Sequence, residues 1–310
     1  MLQDVRLALR SFRQHPGFSA LAVLVVALGA GANASVFSVV RAVLIEPLPY
    51  VRPDKLVSIW PDAFVSNGDL DFLRTRSRTL AQVASSSPGW TMSLVGAGEP
   101  RRVTATKTSA NLFALLGVQA ILGRVFAPDE DLPTRSRVAI LSHELWQSAF
   151  GGDPRAVGQV VTLEGQPHQI IGVMGPAFEL LGREAELWMP LPFDRTSPFW
   201  KGTVAYGIAR RREGVDLAAA ARELRSLIPA WRRELGYEAD WGRESVVAPL
   251  RERVVGNVRR PLLVLLGAVG LIVMLTAANL GALLLGRHVA RRREMAVRGA
   301  LGASPWRLMR

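Results

Sequence analysis

The chain has 310 residues, of which 49% are apolar and 21% are charged, and its mean hydropathy of +0.19 is high for a water-soluble protein with that many charges. The formal net charge of +12 lies mostly at the two ends, since residues 1–17 and 287–310 hold ten arginines against Asp4 and Glu294, and a basic excess confined to end segments disfavours nucleic acid as a partner. Cysteine is absent, which excludes disulfides and thiol chemistry.

The first predicted elements are a cytoplasmic amphipathic helix over residues 1–17 and a transmembrane helix over 18–43. Residues 18–40 carry no charged side chain, and at a rise of about 1.5 Å per residue they make a helix long enough to cross the roughly 30 Å hydrocarbon core of a membrane. The segment before them is typical of a helix lying on the inner membrane surface. Its apolar residues Leu2, Val5, Leu9 and Phe12 recur at steps of three and four, and the arginines form a stripe beside them.

Two other interpretations apply to the small residues of "GAGANA" at 29–34. The letters fit the G-x-G-x-x-A fingerprint of dinucleotide-binding proteins, but the sequence stays apolar afterwards, and Glu46 and Asp54 fit the expected acidic ribose ligand only loosely. Ala32-Asn33-Ala34 also fits a signal-peptidase site, although the apolar run continues past that point to Val40. We therefore favour a retained membrane anchor, with cleavage as the alternative. Small residues in such a helix allow a neighbouring helix to approach closely.

The long middle segment, 46–255, is predicted to fold as a mixed α/β domain. Alternating or β-branched runs predict strands, whereas 3.6-residue periodicity predicts helices. Glu164-Gly165 and the "GAGEP" stretch at 96–100 are predicted to be hairpin turns. The predicted strands are 55–60, 91–95, 101–108, 138–141, 160–163, 169–173, 203–209 and 245–248, and the predicted helices are 69–84, 109–116, 142–150 and 216–235.

No catalytic or nucleotide-binding motif is found in this domain. "HELWQ" begins like a zinc-protease helix, but Gln147 occupies the position of the second histidine ligand. The chain has no G-x-x-x-x-G-K-[ST] loop and no G-x-S-x-G elbow. We therefore predict a protein that is not an enzyme and that has no cofactor, no metal and no catalytic residues. If the protein uses nucleotide energy, another polypeptide binds the nucleotide.

A second uncharged run between Arg260 and Arg287 predicts another transmembrane helix over 260–286. Arginine collects on the cytoplasmic side of membrane helices, so both ends are predicted to be cytoplasmic and residues 46–255 to lie outside. After this helix, helical character continues through Val297 and loosens at Gly299. Ser304-Pro305 then resembles a new helix start, which predicts that the chain is a fragment of a longer protein.

Several of these segments resemble one family. Residues 1–60 resemble the amino-terminal helix, first span and domain entry of MacB-like permeases of the FtsX superfamily. "GEPRRVTATKTSANLFALLGVQAILGRVF", "VAILSHELWQSAFGGDPRAVGQVVTLEGQPHQIIGVM" and "ELWMPL" resemble the periplasmic core domain of that family, and "RRREMAVRGALGASPWRLMR" resembles its segment after the second span. The sequence is most similar to the stand-alone, duplicated-permease branch, which lacks a fused ATPase. The resemblance implies a bacterial inner-membrane protein with two transmembrane α-helices that flank a mixed α/β (α+β) periplasmic domain.

The resemblance also implies a permease subunit of an ATP-binding-cassette (ABC) system, used for efflux or mechanotransmission. The implied partners are membrane lipid, a cytoplasmic ABC ATPase, a periplasmic adaptor protein and a second permease half or copy. In the family, the cytoplasmic segment after the second span contacts the ATPase, which here implies Glu294, Met295, Val297, Arg298, Ala300, Leu301, Gly302 and Ala303. The alternatives are a membrane-anchored periplasmic binding or scaffold protein without an ATPase, and a membrane-tethered hydrolase, which the absence of catalytic motifs disfavours.

Overall fold

The computed structural model describes residues 33–182, 184–197, 200–202, 205–236 and 246–300, together with residues 17, 24, 27 and 31. The chain divides into two compact units. We call Pro47–Gly256 the domain unit, and Met1–Glu46 together with Asn257–Arg310 the terminal unit.

One mixed sheet of ten strands forms the centre of the domain unit. In chain order the strands are β1 (Leu56–Ile59), β2 (Leu80–Val95), β3 (Arg101–Thr108), β4 (Leu122–Gly123), β5 (Val138–Leu141), β6 (Val160–Leu163), β7 (Gln166–Val173), β8 (Leu187–Pro190), β9 (Tyr206–Arg211) and β10 (Val247–Pro249). The order across the sheet is β10-β1-β9-β2-β3-β8-β5-β7-β4, and β6 pairs with both β2 and β7. The pairs β3–β8 and β5–β7 are parallel, and the other described pairs are antiparallel.

In the described part of the chain, five α-helices lie in the domain unit or begin there. They are α1 (Asn67–Arg76), α2 (Leu112–Leu116), α3 (His143–Phe150), α4 (Leu217–Leu235) and α5 (Leu250–Ala300). Helix α1 begins with a capping box, in which the Ser66 hydroxyl accepts the Asp69 N–H and the Asp69 carboxylate accepts the Ser66 N–H. Asp216 caps the start of α4, and Gly236 ends it in the left-handed conformation that glycine adopts without strain. Short 3₁₀ turns occupy Pro53–Lys55 and Pro154–Ala156.

Buried side chains cover both faces of the sheet in three clusters. Because successive strand residues point to opposite faces, Ile208 and Ala209 of β9 belong to different clusters. Cluster 1 lies on one face, and it includes Leu56, Phe113, Ile140, Trp188, Ile208 and Leu250. The opposite face carries cluster 2 around α3, which includes Leu141, Leu145, Trp146 and Leu187, and cluster 3 around α1 and α4, which includes Ile59, Leu70, Ala209 and Trp231.

The predicted helix over 69–84 is wrong beyond residue 76. Helix α1 ends at Arg76, and residues 80–84 open the 16-residue strand β2, which pairs with β9. The Glu223 carboxylate of α4 accepts the backbone N–H groups of Arg78 and Thr79, at 2.7 and 2.9 Å, and so holds the chain out of the helix between the two elements. The apolar residues Leu80, Val83 and Ala84 have a spacing that suits either conformation, so tertiary pairing decides between them.

Most other predicted elements of the domain are confirmed. The strands at 101–108, 138–141 and 160–163 have the predicted bounds, and the predicted turns at 96–100 and 164–165 link antiparallel neighbours. Strands β4 and β8 were not predicted. Both are short, and the β8 segment "LWMP" is buried at every position, so it shows no polar alternation.

One candidate membrane span is found among the described residues, at Val258–Ala278 within α5. It has a mean hydropathy of 2.5 and overlaps the predicted 260–286 span. Only part of the predicted 18–43 span is described. Residues 33–40 are helical and continue into a π-helix, Arg41–Ile45, which gives a shorter apolar helix there and no second described span.

The ends of the chain are described only in part. Residues 1–16 of the predicted amphipathic helix lie outside the described residues, as do residues 301–310. Helix α5 continues through Gly299 to Ala300, so the predicted loosening at Gly299 is wrong for the described residues. The predicted helix start at Ser304-Pro305 lies outside them.

Candidate functional site at the root of the long helix

Helix α5 begins inside the core of the domain unit. Its first residue, Leu250, is fully buried in cluster 1, and Val254, one turn later, packs against the same cluster. Leu250 follows directly after β10, the strand that pairs with β1 at the edge of the sheet. The start of the helix is therefore held by apolar burial and by its covalent link to the sheet, which together disfavour its sliding past the domain.

Arg253 attaches the first turn of α5 to β9. Its guanidinium carbon lies 3.7 Å from the centre of the Tyr206 ring, a cation–π geometry, and its Nη1 donates a hydrogen bond to the Pro61 carbonyl. The Tyr206 ring stacks in turn on Phe64, with centroids 4.9 Å apart and an interplanar angle of 30°. Arg253 thereby contacts both a strand of the sheet and the loop that follows β1.

Through Val254, the residue after Arg253, α5 also contacts a strained corner of the chain between β7 and β8. Leu181 and Gly182 both adopt left-handed backbone angles, with φ of 58° and 67°. For leucine this conformation is unfavourable, by roughly 1–2 kcal/mol, so surrounding contacts must maintain it. A Cβ atom added at Gly182 would lie 3.1 Å from Val254 Cγ1, which shows how closely the corner approaches the helix.

Tyr50 holds the same corner, and it lies in residues 47–52, the first residues of the domain unit, which we call the entry segment. The Leu181 N–H donates to the Tyr50 hydroxyl at 2.9 Å, and the Tyr50 ring lies in cluster 1 with 9% of its surface exposed. Burial raises the pKa of the Tyr50 phenol above its usual value, so the hydroxyl remains protonated at physiological pH. The entry segment and α5 therefore both contact this corner.

The entry segment is fixed to the sheet by Arg210 of β9. Its guanidinium donates to the backbone carbonyls of Val51 and Leu115, both at 2.6 Å, and to that of Arg52 at 3.2 Å. The Val51 N–H also donates to the Leu116 carbonyl at 3.0 Å. Burial and the nearby Arg52 charge lower the pKa of Arg210, although an arginine stays charged at any physiological pH.

The arrangement has the features of a mechanical junction. Entry segment, corner and helix start share cluster 1. A hydrogen bond joins the corner to the entry segment, and a cation–π contact joins the helix start to β9. Among the described residues, no group of three or more His, Asp or Glu side chains could hold a metal ion. Rigid elements packed in this way transmit displacement as rigid-body motion, because a packed core is not continuously deformable.

The predicted ATPase-contact residues lie elsewhere in the chain. Glu294, Met295, Val297, Arg298 and Ala300 occupy backbone positions in the last described turns of α5. Leu301, Gly302 and Ala303 lie outside the described residues. The structure therefore places the first five on the helix that begins at the junction.

No pattern in the sequence predicts the residues of this junction. Tyr50, Leu181, Tyr206 and Arg253 are far apart along the chain, and tertiary packing alone brings them together. One local signal was available: Arg253 stands beside Val254 and shortly after Leu250, so a cation lies within an apolar helical pattern on the domain side of the predicted span.

The chain is similar to several known proteins. It is 24% identical over 195 residues to the macrolide export ATP-binding/permease protein MacB of Burkholderia thailandensis, an alignment that covers 62% of this chain and 29% of that protein's length. The periplasmic region of MacB from Actinobacillus actinomycetemcomitans has a TM-score of 0.49 and 13% identity, covering 69% of this chain and 96% of that one. The extracellular domain of the noncanonic ABC-type transporter YknZ has a TM-score of 0.45 and 16% identity, covering 62% and 97%.

A family model also matches most of the domain unit. The model of the MacB-like periplasmic core domain matches residues 19–227, which include the entry segment, most of the sheet and the first half of α4. Because this match covers more than half of the chain, the protein belongs to the family of MacB-like periplasmic core domains.

Proposed function

We propose that the protein is the permease subunit of an ABC system in which a partner ATPase hydrolyses ATP in the cytoplasm. Membership of the family supports this role, as does the absence of a phosphate-binding loop from the sequence. The MacB relative is named as an ATP-binding and permease protein in one chain, and the present chain spans 29% of its length. In our proposal, a separate polypeptide binds and hydrolyses ATP.

The observation that carries the proposal is the continuity of α5. The helix runs without a break from Leu250, fully buried in the domain core, through the candidate span at Val258–Ala278 to Ala300. Its 51 residues correspond to roughly 75 Å at the α-helical rise. A single helix of this length can carry a displacement at its cytoplasmic end to the junction with the domain unit.

The proposed topology follows from the sequence and from this helix. Residues 1–17 form a cytoplasmic helix, 18–43 and 260–286 cross the bacterial inner membrane, and 46–255 lie in the periplasm. Residues 287–310 return to the cytoplasm, where they begin an FtsX-like segment. Dense arginine after residue 286 supports this orientation, because such residues collect on the cytoplasmic side.

We further propose that the cytoplasmic segment contacts the ATPase. The contact residues are those implied by the family resemblance: Glu294, Met295, Val297, Arg298, Ala300, Leu301, Gly302 and Ala303. The domain unit would then act on a periplasmic adaptor, and a second permease half or copy would complete the assembly. Either efflux or mechanical signalling fits this arrangement.

Site-specific photo-crosslinking in cells tests the proposal. A photoreactive amino acid replaces Met295 or Leu301 in the full chain, and the matched control carries it at Glu99, an exposed residue of the β2–β3 turn. We expect the cytoplasmic positions, and not Glu99, to crosslink to a protein that contains a nucleotide-binding loop. If a correctly inserted chain crosslinks to no ATPase from either position, the proposal fails, and a membrane-anchored periplasmic binding or scaffold protein becomes the better interpretation.

A further inference from the structure

We infer that Arg253 is a positioning residue that fixes the rotation of α5 about its own axis, so that movement of the helix is delivered to β9 in one defined orientation. The inference rests on the proposed function, because it concerns how a displaced helix acts on the domain. It is carried by the contacts of two adjacent helix residues, Arg253 and Val254.

These two residues contact different parts of the domain. Neighbouring residues of an α-helix point about 100° apart around its axis. Arg253 is directed at Tyr206 and Pro61, on the β1–β9 side, while Val254 meets the corner at Gly182. Turning the helix by a fraction of that angle would break both contacts at once. The burial of Leu250 at the helix start opposes such a rotation less, because apolar contacts depend little on direction.

The strength of the Arg253 contacts depends on the orientation of the side chain, whereas the stabilisation from apolar burial does not. A guanidinium is planar, so it can lie over an aromatic ring and donate a hydrogen bond within its own plane at the same time. Tyr206 is held in turn by the stacked Phe64 ring and by its place at the start of β9. The loop beside it is held by a β-bridge between Val65 and Ala205, the residue that precedes β9.

Arg253 therefore acts through an aromatic pair that is part of the sheet framework. β9 lies between β1 and β2 in the centre of one half of the sheet, so its position affects both neighbours. Without the guanidinium, Leu250 would still keep the helix attached to the domain, but the helix would be free to turn. Removing one cation–π contact and one hydrogen bond is expected to raise the population of rotated helix conformers about tenfold.

Distance measurements between spin labels test this inference on the full chain. The chain has no cysteine, so a pair introduced at Glu99 and Arg259 in lipid nanodiscs reports only on the domain and the helix. We expect Arg253→Gln and Tyr206→Leu to broaden the Glu99–Arg259 distance distribution. Tyr206→Phe, which keeps the ring, and Glu252→Gln, which alters the exposed neighbour of Arg253, should leave it narrow.

A second label pair separates positioning from folding. Labels at Glu99 and Arg222, both exposed and both inside the domain unit, should keep a narrow distribution in every variant. Two results would overturn the inference: an unchanged Glu99–Arg259 distribution in Arg253→Gln and Tyr206→Leu, or equal broadening of both pairs. The measurement needs neither ATP nor a partner protein, so its failure is distinct from a failure to crosslink to an ATPase.

Discussion

His168 shows how a single buried side chain links the stability of the domain unit to pH. It lies on β7 with 8% of its surface exposed, and its Nδ1 is 2.9 Å from the Gln166 carbonyl. Because a carbonyl only accepts hydrogen bonds, Nδ1 carries the proton of the neutral ring. Burial lowers the pKa of His168 below its usual value, and the positive charges of Arg137 and Lys107 lower it further.

The lowered pKa of His168 predicts a loss of stability in mild acid. The unfolded histidine binds a proton below about pH 6.5 while the folded one stays neutral, so the free energy of unfolding falls as pH drops below that value. The slope attributable to one proton is at most about 1.4 kcal/mol per pH unit, and it vanishes once the folded ring is also protonated. Urea unfolding of the purified chain at several pH values should show this slope, and His168→Gln should remove it. A pH profile that is identical in the variant would refute the assignment to His168.

At the scale of elements, the corner at Leu181-Gly182 joins two segments that are distant in the sequence. Tyr50 holds it through the Leu181 N–H, and Val254 packs against Gly182. Several other left-handed glycines of the domain lie in open turns. Gly98, with φ of 75°, has no atom within 4 Å of the position that a Cβ would occupy.

This difference predicts unequal effects of the same substitution. Gly182→Ala and Gly98→Ala both place a Cβ in a left-handed conformation, which costs roughly 1 kcal/mol in each case. Only at Gly182 does the new methyl group also press on Val254, so we expect that variant to lose about 1 kcal/mol more. Urea unfolding followed by tryptophan fluorescence measures the two losses. Equal losses in the free energy of unfolding would mean that the corner shifts away from Val254 at no cost, which would contradict the prediction.

Local patterning predicts the regular elements of the domain better than its junction. The strand at 101–108 alternates between buried and exposed residues along most of its length, which is the signal that identifies a half-buried strand. Residues 80–84 carry no such signal, and the pairing of β2 with β9 decides their conformation. The contacts of Arg253 with Tyr206 and of Tyr50 with Leu181 join residues that no short-range pattern relates, so the sequence could not reveal the candidate site.

At the scale of the whole molecule, charge and hydropathy are segregated along the chain. The arginine-rich ends flank apolar segments, and the candidate span at Val258–Ala278 belongs to the helix that leaves the domain unit. Only 6% of the residues in the most apolar part of this span are buried within the protein, as expected for a helix whose apolar surface faces lipid. The proposed topology follows from this separation.

Single introduced cysteines test the topology directly. A cysteine at Glu99, which is exposed in the β2–β3 turn, should react with a membrane-impermeant maleimide in intact spheroplasts. A cysteine at Ser304 should react only after the membrane is permeabilised, because arginine-rich segments stay on the cytoplasmic side. Labelling in the reverse pattern would show that the orientation is inverted.

The unequal covering of the two sheet faces has a consequence for how the domain opens. Cluster 1 extends over β1, β9, β8 and β5, whereas clusters 2 and 3 each cover only one part of the opposite face. A substitution that disrupts cluster 2 or cluster 3 can cause local unfolding of that cluster alone, because separate cooperative units can unfold independently. Damage to cluster 1 removes the shared support of both parts, so the domain should lose its structure there in a single cooperative step.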